Sequence, residues 1–205
     1  MRSFICIFLI LAVCFTFTAC SDDTDTQQAS SLVTYYDGQT ESVIQKDDIS
    51  AKVQSGSLTV EYDTLDETDA TGSVQLTMSS DQLKAALPES DLLRSEDEKY
   101  IQYTCGGADF YYTNDDRDNG LAAIVCYGTA YGFEPTVTTK DAIISVLGTP
   151  AISGDATEEA RSMLLRQGMG FTYIDYTFGT NHISFFFYED TLSLTVLYQE
   201  GLWIY

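Results

Sequence analysis

The chain contains a single histidine, His182, and this limits the chemistry that its side chains can perform. Serine hydrolases, cysteine proteases and zinc sites need a histidine beside a nucleophile or beside further ligands. His182 follows Asn181 at the start of a predicted strand, so we expect a solvated residue rather than a general base. We therefore predict no catalytic residue, no metal site and no cofactor, and the protein is expected not to be an enzyme.

Two of the five cysteines, Cys105 and Cys126, lie in the part of the chain that is expected to fold. A cysteine pair in an exported protein normally suggests a disulfide. The predicted strand order, however, places one strand between them, so their backbones should be about 9–10 Å apart, beyond the roughly 7 Å limit. Alternation also directs Cys105 inward and Cys126 outward. The sequence therefore predicts free thiols.

An acidic stretch, Asn-Asp-Asp-Arg-Asp-Asn-Gly at 114–120, has some features of a calcium-binding loop. With Gly120 at the sixth position of such a loop, the third would be the cation Arg117, and no helix pair flanks the stretch. A hairpin turn explains it better, because Asn119 and Gly120 readily adopt positive φ. A weak calcium site without flanking helices is the alternative.

The N-terminus has the order of an export signal. Residues 1–3 (Met-Arg-Ser) are positively charged, and residues 4–17 are almost entirely apolar. About 14 apolar residues are too few to cross a hydrocarbon layer roughly 30 Å thick, so 1–19 is interpreted as a signal peptide. Phe-Thr-Ala-Cys at 17–20 resembles the bacterial lipobox, although its first position is usually leucine. We predict lipidation of Cys20, with a soluble secreted product cut at the same bond as the alternative.

The segment after the signal is polar. Residues 21–31 contain one apolar residue and three aspartates, so 20–31 is predicted to be a flexible tether. Two acyl chains hold a protein stably at a membrane. We therefore expect an extracytoplasmic protein, attached to the bacterial cell membrane through its N-terminal lipid. Ser21 would permit outer-membrane sorting in a host with two membranes.

The chain is strongly acidic, with 31 Asp and Glu against 10 Lys and Arg, a formal charge of −21. Such a field repels nucleic acid, and no basic stripe is present, so we exclude DNA and RNA as partners. Solubility is one reason for the acidity, and steering of basic partners is the other. The aromatic content is sufficient to build a hydrophobic core.

An internal repeat organises the remaining chain. Tyr-Ile-Gln-Tyr-Thr-Cys-Gly at 100–106 matches Tyr-Ile-Asp-Tyr-Thr-Phe-Gly at 173–179 in five of seven positions. Upstream, residues 79–88 align with residues 139–148. The second copy carries additional residues within 153–170, where the sequence predicts a short helix over 155–168.

Each copy is predicted to begin with a helix, because apolar residues recur at i, i+3 and i+4. Ser79 and Gln82 should form a capping box in the first copy, and a threonine at 138 or 139 should cap the second. Pro88 and Gly148 should end the helices. Three strands then follow, at 99–105, 108–113 and 121–127 in the first copy and at 171–178, 182–188 and 192–198 in the second.

These elements predict an α+β fold. Two tandem helix-plus-three-strand antiparallel meander units place their helices on one face of the sheets, and an N-terminal β extension is expected to complete the first sheet. The predicted organisation is a lipoprotein signal peptide at 1–19, a flexible tether at 20–31, the N-terminal β extension at 32–73, repeat 1 at 74–134 and repeat 2 at 135–205.

Period-two alternation assigns the strand residues to two faces. The face toward the helices should hold Ile101, Tyr103, Cys105, Phe110, Tyr112, Leu121, Ala123, Val125, Ile174, Tyr176, Phe178, Ile183, Phe185, Phe187, Leu192, Leu194 and Val196. The opposite face, called the outer face, should hold Tyr100, Gln102, Thr104, Asp109, Tyr111, Ile124, Tyr173, Asp175, His182, Ser184, Phe186, Tyr188 and Leu197.

The outer face is where we expect a partner to bind, because tyrosines with scattered acids and few lysines suit protein interfaces. In the alternative, this face is covered by the N-terminal β segment or by residues 198–205. The predicted partner-binding residues are Tyr100, Tyr111, Tyr173, Asp175, His182, Phe186 and Tyr188.

The repeat also resembles a known family. A capped helix, Leu-Gly-Thr-Pro at 147–150, an insertion and three strands with Ile-Ser-Phe-Phe-Phe-Tyr at 183–188 in the middle are similar to the β-lactamase-inhibitor-protein repeat. Small outer-membrane assembly lipoproteins of the SmpA/OmlA type share that fold. The resemblance covers about 74–205 and implies two units that set their sheets side by side in one concave surface. Family members mostly bind proteins, and no inhibitory contact can be matched here.

We therefore expect a lipid-anchored extracytoplasmic module that binds a protein, either as an inhibitor of an exported enzyme or as an envelope accessory factor. The alternative is a lipoprotein that binds or senses a small ligand or an envelope polymer, which would need a concave pocket. An enzyme is the third class.

Overall fold

The computed structural model describes residues 33–36, 41–63, 69–87, 92–114, 120–158, 160 and 171–201. The predicted signal peptide, Cys20, the tether, most of the acidic loop and most of the predicted 155–168 helix lie outside them, as do residues 202–205. The helices of the described part are α1 (Lys46–Gln54), α2 (Ser80–Ala86) and α3 (Lys140–Leu147). None of these is long and apolar enough to span a membrane.

The described strands, in chain order, are β1 (Val33–Tyr36), β2 (Glu41–Ile44), β3 (Ser57–Asp63), β4 (Asp69–Gln75), β5 (Leu93–Glu96), β6 (Tyr100–Cys105), β7 (Ala108–Thr113), β8 (Ala123–Cys126), β9 (Ile152–Asp155), β10 (Thr172–Phe178), β11 (Asn181–Tyr188) and β12 (Thr191–Gln199).

Strands β5 to β12 form one antiparallel sheet in the order β5-β6-β7-β8-β12-β11-β10-β9. The order is symmetric about its centre, where β8 pairs with β12 and Ile124 lies opposite Leu197. Helices α2 and α3 each precede one half of this sheet, so an approximate two-fold axis normal to the sheet relates the repeats. The predicted α+β fold, with tandem helix-plus-meander units, is confirmed.

In the described residues each repeat contributes four strands rather than the predicted three, because an edge strand precedes each meander. Both edge strands, β5 and β9, are exposed along their whole length. A strand without a buried face has no reason to alternate apolar and polar residues. The periodicity criterion therefore finds no signal at either position.

The predicted helix caps and the end of α3 form as expected, while Pro88, predicted to end α2, lies outside the described residues. The Ser79 hydroxyl accepts from the Gln82 N–H at 3.4 Å, and the Gln82 side chain accepts from the Ser79 N–H at 2.9 Å, which completes a capping box at α2. The Thr139 hydroxyl accepts from the Ala142 N–H at 3.3 Å at the start of α3. Gly148, with φ of 85°, follows the last residue of α3, because glycine tolerates positive φ.

The N-terminal extension forms sheets of its own and does not complete the first sheet, so that part of the prediction is wrong. Strand β1 pairs with β2, and β3 pairs with β4. Leu58 of β3 and Val74 of β4 pack into the core on the helix side, because each of these strands has a single apolar face. The Asn181 amide donates to the carbonyls of Val53 (2.9 Å) and Gln54 (3.1 Å), which satisfies the last turn of α1.

The eight-stranded sheet has a buried layer on each face. Toward the helices, Ile101, Phe110, Ile183 and Phe185 are at most 1% exposed, as alternation predicts for β6, β7 and β11. On the outer face, Phe186 is 0% exposed and belongs to a second cluster. The sheet is therefore the middle layer of the fold rather than one wall of it.

The predicted faces are wrong for β8 and for the part of β12 after Leu192, which itself lies on the helix side as predicted. In β12 the cause is a bulge: Phe187 lies opposite Leu192 but Phe186 lies opposite Leu194, so Ser193 is an extra residue that reverses the alternation. Strand β8 begins at Ala123, whereas the predicted assignment of its faces counted the alternation from Leu121. The outer face consequently holds Ala123, Val125, Leu194 and Val196. The helix side holds Ile124, Cys126 and Leu197.

Candidate functional site

The predicted partner-binding residues lie together on the outer face, on β6 and β7 of the first repeat and on β10 and β11 of the second. Five of them belong to the outer hydrophobic cluster or pack against it: Tyr100, Tyr111, Tyr173, Phe186 and Tyr188. The other two lie on the same face by alternation. Asp175 is two residues after Tyr173 on β10, and His182 is two residues before Ser184 on β11. Sequence alternation therefore brings the set to one surface.

Most of this surface is buried, which the sequence left open. Tyr100 and Tyr111 are 4% and 5% exposed, and Phe186 is fully buried. The described cover comes from both ends of the β9–β10 connection, where Ala156 and Phe171 pack into the same cluster. The described core residues of the N-terminal β segment, one of the covers that the sequence suggested, pack on the helix side instead. Residues 202–205, which belong to the other suggested cover, lie outside the described residues.

Asp175 is the centre of a polar network on the second repeat, and its side chain is buried. The Ser184 hydroxyl donates to Oδ2 at 2.6 Å, and the Tyr198 hydroxyl donates to the same oxygen at 2.9 Å. Nδ1 of His182 lies 3.1 Å from Oδ1. A buried carboxylate is costly unless its oxygens are hydrogen-bonded, and these three groups supply those bonds.

His182 is not the solvated residue that the sequence predicts. Its side chain is 14% exposed, and its ring stacks on Tyr198 with centroids 4.9 Å apart. Because Ser184 and His182 both bind Asp175, the serine proton is directed to the carboxylate rather than to the imidazole. This described contact, from a serine hydroxyl to a carboxylate, differs from the serine-to-histidine contact of a nucleophilic triad.

A second carboxylate network lies on the first repeat. Asp109 is 6% exposed and accepts from the Thr104 hydroxyl at 2.6 Å and from the Tyr127 hydroxyl at 2.9 Å. Burial, and then the negative charge of Asp109, raise the pKa of Tyr127. In strand order Asp109 and Asp175 are four strands apart, roughly 19 Å, so they are too distant to act as a catalytic carboxylate pair.

Both edges of the outer face have accessible residues. On the first repeat, Leu93 of β5 lies opposite Thr104 and is 69% exposed. The accessible aromatic residues lie at the edge of the second repeat. Tyr173 and Tyr188 are half-buried, and Ile152 of β9 is 51% exposed. The Tyr173 ring stacks on Phe186 with centroids 5.7 Å apart and planes at 22°, and Tyr188 packs against Phe171 at 5.6 Å. We call Ile152, Tyr173 and Tyr188 the edge patch. Sequence analysis missed Ile152, because β9 has no alternating pattern.

Cys105 and Cys126 are buried, and neither forms a disulfide. Both lie on the helix side, so the predicted outward direction of Cys126 is wrong. Ala108 pairs with Cys105 on one side and with Cys126 on the other, which confirms that one strand separates them. The thiol of Cys126 donates to the carbonyl of Gly128 at 3.5 Å.

We expect Cys126 to react slowly with alkylating reagents. Burial raises its pKa from 9.0 to about 11, so at pH 8 the thiolate should be about 100-fold scarcer than in the unfolded chain. The fold favours the protonated thiol, so its contribution to stability is complete below pH 9 and is lost as the pH rises toward 11. Iodoacetamide labelling at pH 8, followed by peptide mapping, would measure the rate. Equal labelling of Cys126 in native protein and in guanidinium would contradict this prediction.

A cleft of about 330 Å³ lies on the opposite side of the molecule, between α1, β3 and the 129–132 turn. Lys52, Glu61 and Thr59 line it, and Tyr131 forms part of its wall. The Tyr131 hydroxyl donates to the Ser57 carbonyl at 2.8 Å, which fixes the turn against β3. The volume of the cleft lies at the lower end of the range for small-molecule sites.

Groups of three or more His, Cys, Asp or Glu that could hold a metal do not occur among the described residues. The acidic loop that gave the calcium alternative lies mostly outside them, so that alternative stays a prediction.

Comparisons with known proteins give little beyond this geometry. No protein-family model matches the chain, and no curated protein matches it. Among solved structures, the chain is similar to a DUF4309 family protein, YjgB, from Bacillus subtilis. The two are 14% identical, with a TM-score of 0.47, and the match covers 75% of this chain and 95% of that chain. At this level of likeness the comparison supports no argument about function.

Proposed function

We propose that this protein is a lipid-anchored, extracytoplasmic binding module that holds a protein partner at the edge patch of its outer face. The observation that carries the proposal is the patch itself: Ile152, Tyr173 and Tyr188 are accessible, while the rings beneath them, Phe186 and Phe171, are buried. Tyrosines held in place by stacking lose little entropy on binding and are frequent anchors of protein interfaces.

The charge of the chain supports a basic partner surface. The formal charge is −21, and Asp155 and Glu158, which follow Ile152 in the chain, are exposed. Such a field accelerates encounter with a positively charged surface and disfavours acidic ones. The predicted lipid at Cys20 and the tether would keep the module near the membrane, where an envelope protein could reach it.

Substitution of the patch tests the proposal. Tyr173→Ala and Tyr188→Ala together should reduce crosslinking to an envelope protein by about tenfold or more, since loss of anchor residues typically costs over about 1.4 kcal/mol. Val137→Ala is the matched control, because Val137 is 64% exposed and lies outside the patch. Equal crosslinking of both variants, or recovery of only a glycan or lipid, would overturn the proposal.

The cleft beside Tyr131 supports a second candidate function, the binding of a small polar ligand or an envelope polymer. An ammonium, a carboxylate and hydroxyl groups converge there beside an aromatic ring. Lys52→Ala should weaken binding of peptidoglycan fragments, measured by calorimetry, while the Tyr173 and Tyr188 variants should leave it unchanged. No heat of binding with any fragment would dismiss this candidate.

A further inference from the structure

We propose that the partner binds by adding an extended strand to the free edge of β9. This inference rests on the proposed function and specifies how the partner is held. It commits to one occupant, a segment of a partner protein in which lysine or arginine alternates with apolar residues.

The register of β9 determines which of its backbone groups are available. The Ala156 N–H donates to the Phe171 carbonyl at 2.8 Å, so Ala156 forms a hydrogen-bonded pair across to the neighbouring chain segment. Alternation then turns the N–H and C=O groups of Ser153 and Asp155 away from β10. Among the described residues no strand pairs with β9 on that side. These groups are a template for a further strand.

The matching edge of the first repeat, β5, carries a pair of charged side chains that disfavour strand addition, and β9 carries no such pair. On β5, the Asp97 N–H donates to the Tyr100 carbonyl at 3.0 Å. By alternation, the backbone N–H and C=O groups of Arg94 and Glu96 then point away from β6. Their side chains form an ion pair along the edge. Charged side chains on an edge discourage pairing with another chain.

On β9 the residues whose backbone groups turn away from β10 are Ser153 and Asp155, a small residue and a single acid. The edge is therefore open to a strand that brings a positive charge to Asp155. A second copy of this chain would bring another −21 charge to the same place, so self-pairing is disfavoured.

The edge patch adjoins the proposed strand on the outer face. Ile152 and Gly154 lie on the outer face of the sheet, opposite Asp175 and Tyr173. The Tyr173 ring lies 3.9 Å from the position that a Cβ on Gly154 would occupy. An added strand would place its apolar side chains beside Ile152 and Tyr173. Its alternate, basic side chains would lie on the side of Asp155.

A defined peptide tests this geometry. The probe is an amidated peptide of about five Val-Lys repeats, long enough to span the four-residue edge, added to the detergent-solubilised full chain. Hydrogen exchange should slow at Ser153 and Asp155. Ser153→Pro should weaken binding about tenfold, because proline removes an outward N–H without breaking the ladder to β10. The matched control, Arg94→Pro on β5, should bind normally.

A charge reversal provides a second measurement. Asp155→Lys, at an exposed position, should weaken binding of the Val-Lys peptide and strengthen binding of a Val-Glu peptide. Absence of peptide binding, binding without slower exchange at β9, equal loss in Ser153→Pro and Arg94→Pro, or dimerisation of the chain would each overturn the inference. If crosslinking to the partner still depends on Tyr173 and Tyr188 in those cases, the proposed function stands. If peptide binds at β9 but those tyrosines are irrelevant to partner crosslinking, the proposed function fails instead.

Discussion

Cys20→Ala is expected to abolish lipid attachment completely. The predicted chemistry forms a thioether on the Cys20 sulfur, and alanine offers no nucleophile for that bond. The acyl mass should therefore be absent from the variant in intact-protein mass spectrometry, and metabolic labelling with a fatty acid should give no signal.

The size of the effect follows from the energetics of anchoring. Each buried methylene contributes about 0.8 kcal/mol, and two acyl chains make membrane attachment stable where one chain gives only reversible binding. The acidic body of the protein, with a formal charge of −21, offers no attraction to an anionic lipid surface. Without its lipid, the cleaved protein should therefore leave the membrane fraction.

Cys14→Ala is the matched control, because Cys14 lies in the same apolar segment but precedes the predicted cleavage point. That variant should be labelled and anchored like the parent. An uncleaved signal could retain the Cys20 variant at the membrane, so the acyl mass is the deciding measurement. Fatty-acid label on Cys20→Ala, or no label on the parent protein, would contradict the prediction.

The features that could be predicted from the sequence are those determined by short stretches of chain. The capping box of Ser79 and Gln82 and the end of α3 at Gly148 depend on hydrogen bonds within one turn. The faces of β6, β7, β10 and β11 depend on alternation alone. These features require no knowledge of the rest of the fold, because the responsible contacts lie a few residues apart.

The errors arise where a long-range contact decides. The extra residue Ser193 reverses the alternation in β12, and only the pairing with Phe186 and Phe187 reveals it. His182 appears solvated from its neighbours in sequence, but its partners Asp175 and Tyr198 come from two other strands. Strand pairing brings these groups together, and no local pattern encodes it.

The candidate site was predicted as a surface rather than as a set of contacts. Alternation correctly places Tyr173 and Tyr188 on the outer face, but it carries no information on burial there. Ile152 and the free edge of β9 give no periodic signal, because both faces of that strand are exposed. The accessible patch could therefore be recognised only after the eight strands were assembled.

Phe185→Ala and Phe186→Ala are expected to destabilise the protein by similar, large amounts. The two rings are adjacent in β11 and point to opposite faces, and both are 0% exposed. Phe185 meets Phe133 edge-to-face at 5.4 Å, and Phe186 stacks on Tyr173 at 5.7 Å. Removing a buried phenyl ring typically lowers the free energy of unfolding by about 3–5 kcal/mol, because the transfer free energy is lost and a cavity remains.

Urea unfolding of the two variants, with the slope m compared as well as the midpoint, would measure both costs. Val137→Ala serves as the control, since Val137 is 64% exposed and its loss should change stability by about 0.5 kcal/mol or less. If Phe186→Ala lowered the free energy of unfolding by less than about 1 kcal/mol, the outer face would be an open aromatic surface rather than a second core layer.

The comparison decides how binding experiments on this protein are interpreted. If Phe186 is a core residue, loss of partner binding on its substitution would measure unfolding rather than a lost contact. Tyr173 and Tyr188, which are only half-buried, are then the residues whose substitution separates docking from folding. A Phe186 cost equal to that of Phe185 would therefore restrict the docking surface to the edge patch and the free strand beside it.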